Sequence, residues 1–203
     1  MRLPVAATIL LLLCGARAEP LAAQSRLPRS FGDVALGMPL ATLQALQPTA
    51  TRWCTDECLP GEDLLDLSLP ELPATRAALL AAYWWPTTPP PADLPLDARL
   101  ARGRLAELAL SAPSPDIEAG VAWLVAQFGP WWEIRITGNR TGAVTWRDRE
   151  TIVTLSFEVS GGATLGKATL PDIRTASVIG LAVTDRRADS LMTIAARQRG
   201  PTH

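Results

Sequence analysis

The residues able to carry covalent or metal chemistry are few and scattered along the chain. Cys54 and Cys58 sit in Trp53-Cys54-Thr55-Asp56-Glu57-Cys58, and in an oxidising compartment a nearby pair of this kind is most simply a disulfide. Closing so small a ring stabilises by about 2 kcal/mol. A thioredoxin-type redox site has two intervening residues rather than three, and a zinc site needs further Cys or His ligands. The expected pair is therefore structural, with a free or redox-active pair as the alternative. His203, the only histidine, is the last residue. Ser-His-Asp and Cys-His chemistry needs an imidazole held in place by a third group, and histidine-rich zinc or copper sites fail by the same count. Neither a metal site nor a cofactor is expected. Gly161-Gly162-Ala163-Thr164-Leu165-Gly166-Lys167 has the G-x4-G-K spacing of a phosphate loop. Ala168 replaces the hydroxyl that would meet magnesium, however, and Pro171 interrupts the helix that should hold the phosphate. A glycine-rich hairpin or loop is the expectation. Carboxylate-only glycosidase chemistry needs two carboxyls set across a sugar cleft, and Asp33, Asp56, Glu57, Glu62, Asp63, Asp172 and Asp185 form no pattern that selects a pair. No catalytic residue is assigned.

The tryptophans are the most informative side chains left. In a strand, neighbours face opposite sides. If Trp84-Trp85 and Trp131-Trp132 are each extended, one ring of each pair points into the core and the other away from it. The outward rings are either covered locally, for instance by the proline-rich loop over Trp84 or Trp85, or they form an aromatic contact surface of Trp84, Trp85, Trp131 and Trp132. Trp123, beside an apolar helix face, and Trp146, on a regular strand, read as core.

The elements that would position these residues follow from periodicity. Leu40, Leu43 and Leu46 recur at helical spacing between Pro39 and Pro48. A second helix is marked by Ser114 as cap, Pro115 as first residue, and Asp116 and Glu118 near the positive end of the dipole. Ile117, Val121, Leu124 and Phe128 follow on one face, and Gly129-Pro130 stops it. Strands are expected at Leu65 to Leu69, Gly103 to Ser111, Glu133 to Thr137, Ala143 to Arg147, Thr151 to Val159 and Ser177 to Thr184. Residues 74 to 85 are ambiguous: alanine content favours helix, while the matching position in the second half favours strand, and strand is the expectation for Leu79 to Trp85. Residues 86 to 95, with five prolines, form an irregular or polyproline-like connection.

The N-terminus has the layout of a secretory signal, with Arg2, an apolar run from Leu3 to Leu13, and then small residues. The run is too short to cross a bilayer, which needs ~20 apolar residues. Cleavage is expected after Ala18 or Ala23, and no other stretch of the mature chain is long enough to span a membrane. Cys14 offers a rival, an envelope lipoprotein acylated at that cysteine. The whole chain carries a net charge of −1, and cleavage after Ala23 leaves 17 basic and 19 acidic residues. A basic nucleic-acid footprint is absent in the sum. Lys167 is the only lysine among the 19 basic residues, an arginine bias that reads as GC-rich coding rather than selection for guanidinium chemistry.

Phe31, Val34, Leu36, Gly37 and Met38 before a short helix, then Leu124-(x)3-Phe128-Gly129-Pro130 and the strand Val144 to Thr151, resemble the tandem helix-then-sheet repeat of β-lactamase inhibitor proteins. The module is also similar to that of small lipoproteins that assist outer-membrane protein assembly. The resemblance covers roughly Phe31 to Thr184 and implies a non-enzymatic binding or assembly role. Pro39 and the proline-rich loop depart from it, and no functional contact residue carries over. The expectation is thus an α+β protein of two similar halves, each a short helix packed on an antiparallel β-sheet: a signal peptide over 1–23, halves over 24–112 and 113–185, and a C-terminal segment over 186–203. Its partner is expected to be a protein or cell-envelope component, reached after export to the periplasm or beyond. The alternative is a carboxylate-dependent extracytoplasmic hydrolase.

Overall fold

A computed structural model describes residues 26–49, 51–52, 64–69, 72–86, 94, 96–114, 116–138, 140–159, 166–169 and 176–188. Cys14, Cys54, Cys58, His203 and most of the proline-rich loop lie outside them. The first element among the described residues is a two-residue-per-strand hairpin, β1 (Ser30–Phe31) and β2 (Val34–Ala35), followed by α1 (Leu40–Leu46) and the strands β3 (Thr51–Arg52) and β4 (Leu64–Ser68). Next come α2 (Pro73–Tyr83), β5 (Leu96–Ala101), β6 (Arg104–Leu110) and α3 (Ile117–Phe128). The last strands are β7 (Glu133–Gly138), β8 (Thr141–Arg147), β9 (Thr151–Glu158), β10 (Gly166–Lys167) and β11 (Ser177–Asp185).

All strands from β3 onward join one antiparallel sheet in the order β10-β7-β8-β9-β11-β6-β5-β4-β3. The fold is α+β. The two expected blocks of strands meet where β11 pairs with β6, Leu181 opposite Leu110. They differ in build, because α2 interrupts the first block between β4 and β5.

Alternation along the strands decides where the core lies. The register aligns Ile134, Val144, Leu155, Leu181, Leu110 and Leu96 in one row across six strands, and every one is buried. Leu43 of α1, Leu79 of α2 and Val121 and Leu124 of α3 belong to the same apolar cluster, so the three helices cover this face. The opposite face carries the row Glu133, Thr145, Thr154, Ala182, Ala109 and Asp97. These small and polar residues are all half-exposed.

Two expectations about the helices need correction. Leu79 to Trp85 is not a strand: α2 runs through Pro73–Tyr83, with proline in its first turn and Thr75, Arg76, Leu79 and Tyr83 buried at helical spacing. The alanine propensity wins there because it coincides with an apolar stripe that the core can bury. The cap of α3 is Asp116, not Ser114; its carboxylate accepts from the Ala119 N–H at 2.9 Å. Ser114 stands two residues before the cap, its backbone paired with Val178 of β11 and its Oγ accepting from the Asp116 N–H at 3.3 Å. Gly129 ends α3 with φ +83, a conformation open to glycine at little cost.

The hairpin between β5 and β6 was not anticipated. Ala101 pairs with Arg104, and Arg102 and Gly103 between them both have positive φ, 52 and 69. This is the mirror-image turn that matches strand twist, and it needs glycine at only one of its two positions.

Candidate functional site

Antiparallel pairing brings the end of β8 at Arg147, the start of β9 at Thr151, the end of β11 at Asp185, the start of β6 at Arg104 and the end of β5 at Ala101 to the same end of the sheet. Across this end lies the segment Arg26–Arg29, fastened at Leu27, Pro28 and Arg29. The Leu27 side chain is buried, and its N–H donates to Asp148 Oδ2 at 2.8 Å. The Pro28 carbonyl accepts the Tyr83 hydroxyl at 2.6 Å. The Arg29 guanidinium reaches Asp185 Oδ2 and donates to the Glu150 carbonyl at 2.8 Å. Asp148 also organises the turn from β8 to β9, its Oδ1 accepting from the N–H groups of Glu150 at 2.8 Å and Thr151 at 2.7 Å.

Two hollows open beside this segment. The larger, of about 870 Å³, is lined by Arg26, Arg29, Arg147, Arg149 and Arg186 together with Leu27, Pro28, Trp132, Asp148 and Glu150. The smaller, of about 490 Å³, adds Arg102, Arg104 and Arg187 beside Leu36, Leu105 and Ala106, and shares Arg29 with the first. Together they gather eight arginines and three carboxylates, Asp148, Glu150 and Asp185. Arg26, Arg102, Arg104, Arg149, Arg186 and Arg187 are exposed. Trp132 is 59% exposed, and the Arg147 guanidinium carbon sits 3.0 Å from its ring centroid, a cation–π contact that holds both side chains at the rim.

The four tryptophans of the candidate aromatic surface differ in exposure. Trp84 and Trp85 are not extended across a strand but follow the end of α2, and both are buried at 4% and 1% exposure. Their rings stack 4.0 Å apart. Trp131 is half-buried against the core while Trp132 is exposed. Trp146 is buried, its indole N–H donating to the Gly129 carbonyl at 3.1 Å, and Trp123 is partly buried beside the core. Of the carboxylates considered for hydrolysis, Asp185 is held by Arg29, Asp33 is exposed on the β1–β2 turn, and the rest lie outside the described residues. Lys167 lies in β10, paired with Arg135 of β7; an edge strand does not provide the helix N-terminus of a phosphate loop. Among the described residues no cluster of His, Cys, Asp and Glu is placed to hold a metal ion, and no helix is long and apolar enough to cross a membrane.

The arginine cluster escaped the sequence reading because its members come from four separate stretches and the net charge conceals them. The one local signal is Arg147-Asp148-Arg149-Glu150 followed by Arg186-Arg187, charged dipeptides abutting strand ends.

Tyr83 provides a test of how the N-terminal segment is held. Burial, and secondarily the charge of Asp148, raise its phenol far above the usual tyrosine value, with Arg29 acting in the opposite sense. The unfolded chain ionises this group near pH ~10 while the folded protein keeps it neutral. Its contribution to stability is therefore complete below that pH and falls as pH rises beyond it. Tyr83 is the only tyrosine, so tyrosinate absorbance reads this group alone. Absorbance and loss of circular dichroism are expected to rise together in an alkaline titration; ionisation preceding unfolding would contradict the buried, bonded phenol.

Fold and site together define an α+β protein with one helix-free sheet face, among the described residues, and an arginine-lined end. The chain matches no family model, no curated protein and no solved structure.

Proposed function

We propose that this is an exported, non-enzymatic binding protein, and that it holds a protein or another cell-envelope component at the arginine-lined end of its sheet. The observation that carries the reading is the gathering of eight arginines around three carboxylates in a chain whose overall charge is −1. Such a local excess steers anionic partners into contact. Guanidinium groups also present a planar fork that meets carboxylate or phosphate through paired hydrogen bonds. Trp132 adds a rigid, exposed ring of the kind that anchors interfaces. The carboxylates of the site are already committed to Arg29 and to backbone N–H groups, which supports binding over acid–base hydrolysis. Export rests on the arrangement of the first 23 residues.

A photoreactive amino acid at position 132, introduced in intact cells, tests the reading. The expected product is an adduct in the envelope fraction, formed by a chain shortened by its signal peptide and lost when Arg149→Glu and Arg186→Glu are combined. Absence of any adduct, or an adduct indifferent to the two reversals, contradicts it.

A further inference from the structure

We infer that the occupant of the arginine-lined hollows is an extended acidic polypeptide segment, bound across the end of the sheet from the β8–β9 turn to the β5–β6 turn. This rests on the binding reading above and specifies its ligand. Three observations carry it.

First, the site is elongated and concave. Arg29 lines both hollows, and the exposed turn residues Arg149 and Arg102 line one each; we take the two as one trough. These turns are three strand spacings apart in the sheet order, or ~14 Å. An extended chain advances ~3.3 Å per residue, so about five residues span the trough. A flat membrane surface would touch the rims and leave the concavity empty.

Second, the positive charges are distributed along the whole trough. Arg26 and Arg149, both exposed, form no ion pair among the described residues, and the Arg186 guanidinium donates to the carbonyl of Asp148. Arg104 donates to the Gly37 carbonyl. The strand-end guanidiniums thus retain donors facing solvent, suited to carboxylates repeated along a chain.

Third, accessible apolar surface lies beside the charges. In the larger hollow Pro28 is half-buried and Trp132 is exposed at the rim. In an extended peptide successive side chains point to opposite sides. Carboxylates can then face the arginines while small apolar side chains rest on these carbons. A sugar acid polymer or a nucleic-acid strand offers the charge without such side chains.

The probe is a short fluorescein-labelled peptide alternating glutamate with alanine and leucine, titrated with the mature protein and followed by anisotropy. Its glutamine counterpart, heparin and anionic phosphatidylglycerol vesicles serve as comparisons. The acidic peptide is expected to bind at least tenfold more tightly than the glutamine peptide. Its affinity should fall as salt shortens the Debye length from ~10 Å at 0.1 M toward ~3 Å at 1 M. Arg102→Glu and Arg149→Glu, at opposite ends of the trough and exposed, should each weaken binding by about three- to tenfold while the far-UV circular dichroism remains that of the folded parent. Equal binding of the glutamine peptide, preference for heparin or vesicles, or loss from only one end of the trough would overturn the inference. If the acidic peptide fails while position 132 still cross-links to a glycan or lipid, the ligand class is wrong and the binding reading stands; if both fail, both are wrong.

Discussion

Trp85→Ala is expected to lower the unfolding free energy by about 3–5 kcal/mol, the range for deleting a buried large aromatic side chain. For a chain of this size that corresponds to a fall of roughly 10 °C in the thermal midpoint. The ring is buried at 1% exposure and stacked on Trp84, and it fills the space left by the absent side chain of Gly120 on α3. A Cβ built on Gly120 would lie 2.7 Å from Trp85 Cζ3 and 2.9 Å from Cε3, too close for carbon atoms. This makes Gly120→Ala a sign test. Helix propensity alone favours alanine by about 1 kcal/mol, whereas overpacking a filled core costs about 1–3 kcal/mol. The ring is pinned by its stack, so the clash should dominate and the variant should melt lower than the parent. Adding Trp85→Leu should relieve part of that cost, giving a favourable coupling between the two sites. Trp85→Phe should be much milder than Trp85→Ala, since it retains a buried ring and removes an indole N–H that has no hydrogen-bond partner among the described residues. A stabilised Gly120→Ala, or strict additivity with Trp85→Leu, would show that the helix and the ring are not in contact.

That packing explains why the sequence misleads around Trp84 and Trp85. Two adjacent tryptophans invite a strand reading in which one must face outward. Here the helix α2 ends at Tyr83, and the chain leaves it with both rings turned inward. The glycine that makes room for Trp85 lies thirty-five residues downstream, and no local pattern links the two. The strands of the second half are more legible, because β8 and β9 alternate buried and half-exposed residues along their full length and are bounded by turn residues. β5 was missed because it follows the prolines and its alternation is diluted by alanine. For the site the difficulty is topological. Arg29, Arg147 and Arg186 become neighbours only when the strand order is known, since β11 inserts between β9 and β6 and brings the chain's last described residues beside its first. Composition counted the arginines, and a coding-bias account of them said nothing about where they gather.

Asp148 is where fold and site meet, and its variants should separate the two. Asp148→Ala removes the acceptor for three backbone N–H groups, those of Leu27, Glu150 and Thr151, and Thr151 is fully buried. Bonds to a charged acceptor contribute about 1.5–3 kcal/mol each, and an orphaned buried donor adds its desolvation cost; with partial exposure of the others, a net loss of about 2–4 kcal/mol follows. Asp148→Asn acts differently. Its single carbonyl oxygen can replace Oδ1 and keep both turn bonds, which places the amide NH₂ against the Leu27 N–H, where two donors face each other. The turn between β8 and β9 should therefore survive while the segment Arg26–Arg29 loosens. In hydrogen exchange the Leu27 amide should lose protection in Asp148→Asn while Thr151 keeps it, and both should lose protection in Asp148→Ala. Trypsin should then cut at Arg26 or Arg29 faster in Asp148→Asn than in the parent. Arg29 cannot hold the segment alone: its partner Asp185 stays in place on β11, but the Leu27 side chain is positioned by the backbone that Asp148 fixes. A uniform loss of protection in Asp148→Asn would mean that turn and segment are one cooperative unit. Retention of Leu27 protection would mean that burial of its side chain and the Tyr83–Pro28 bond suffice to hold the segment in place.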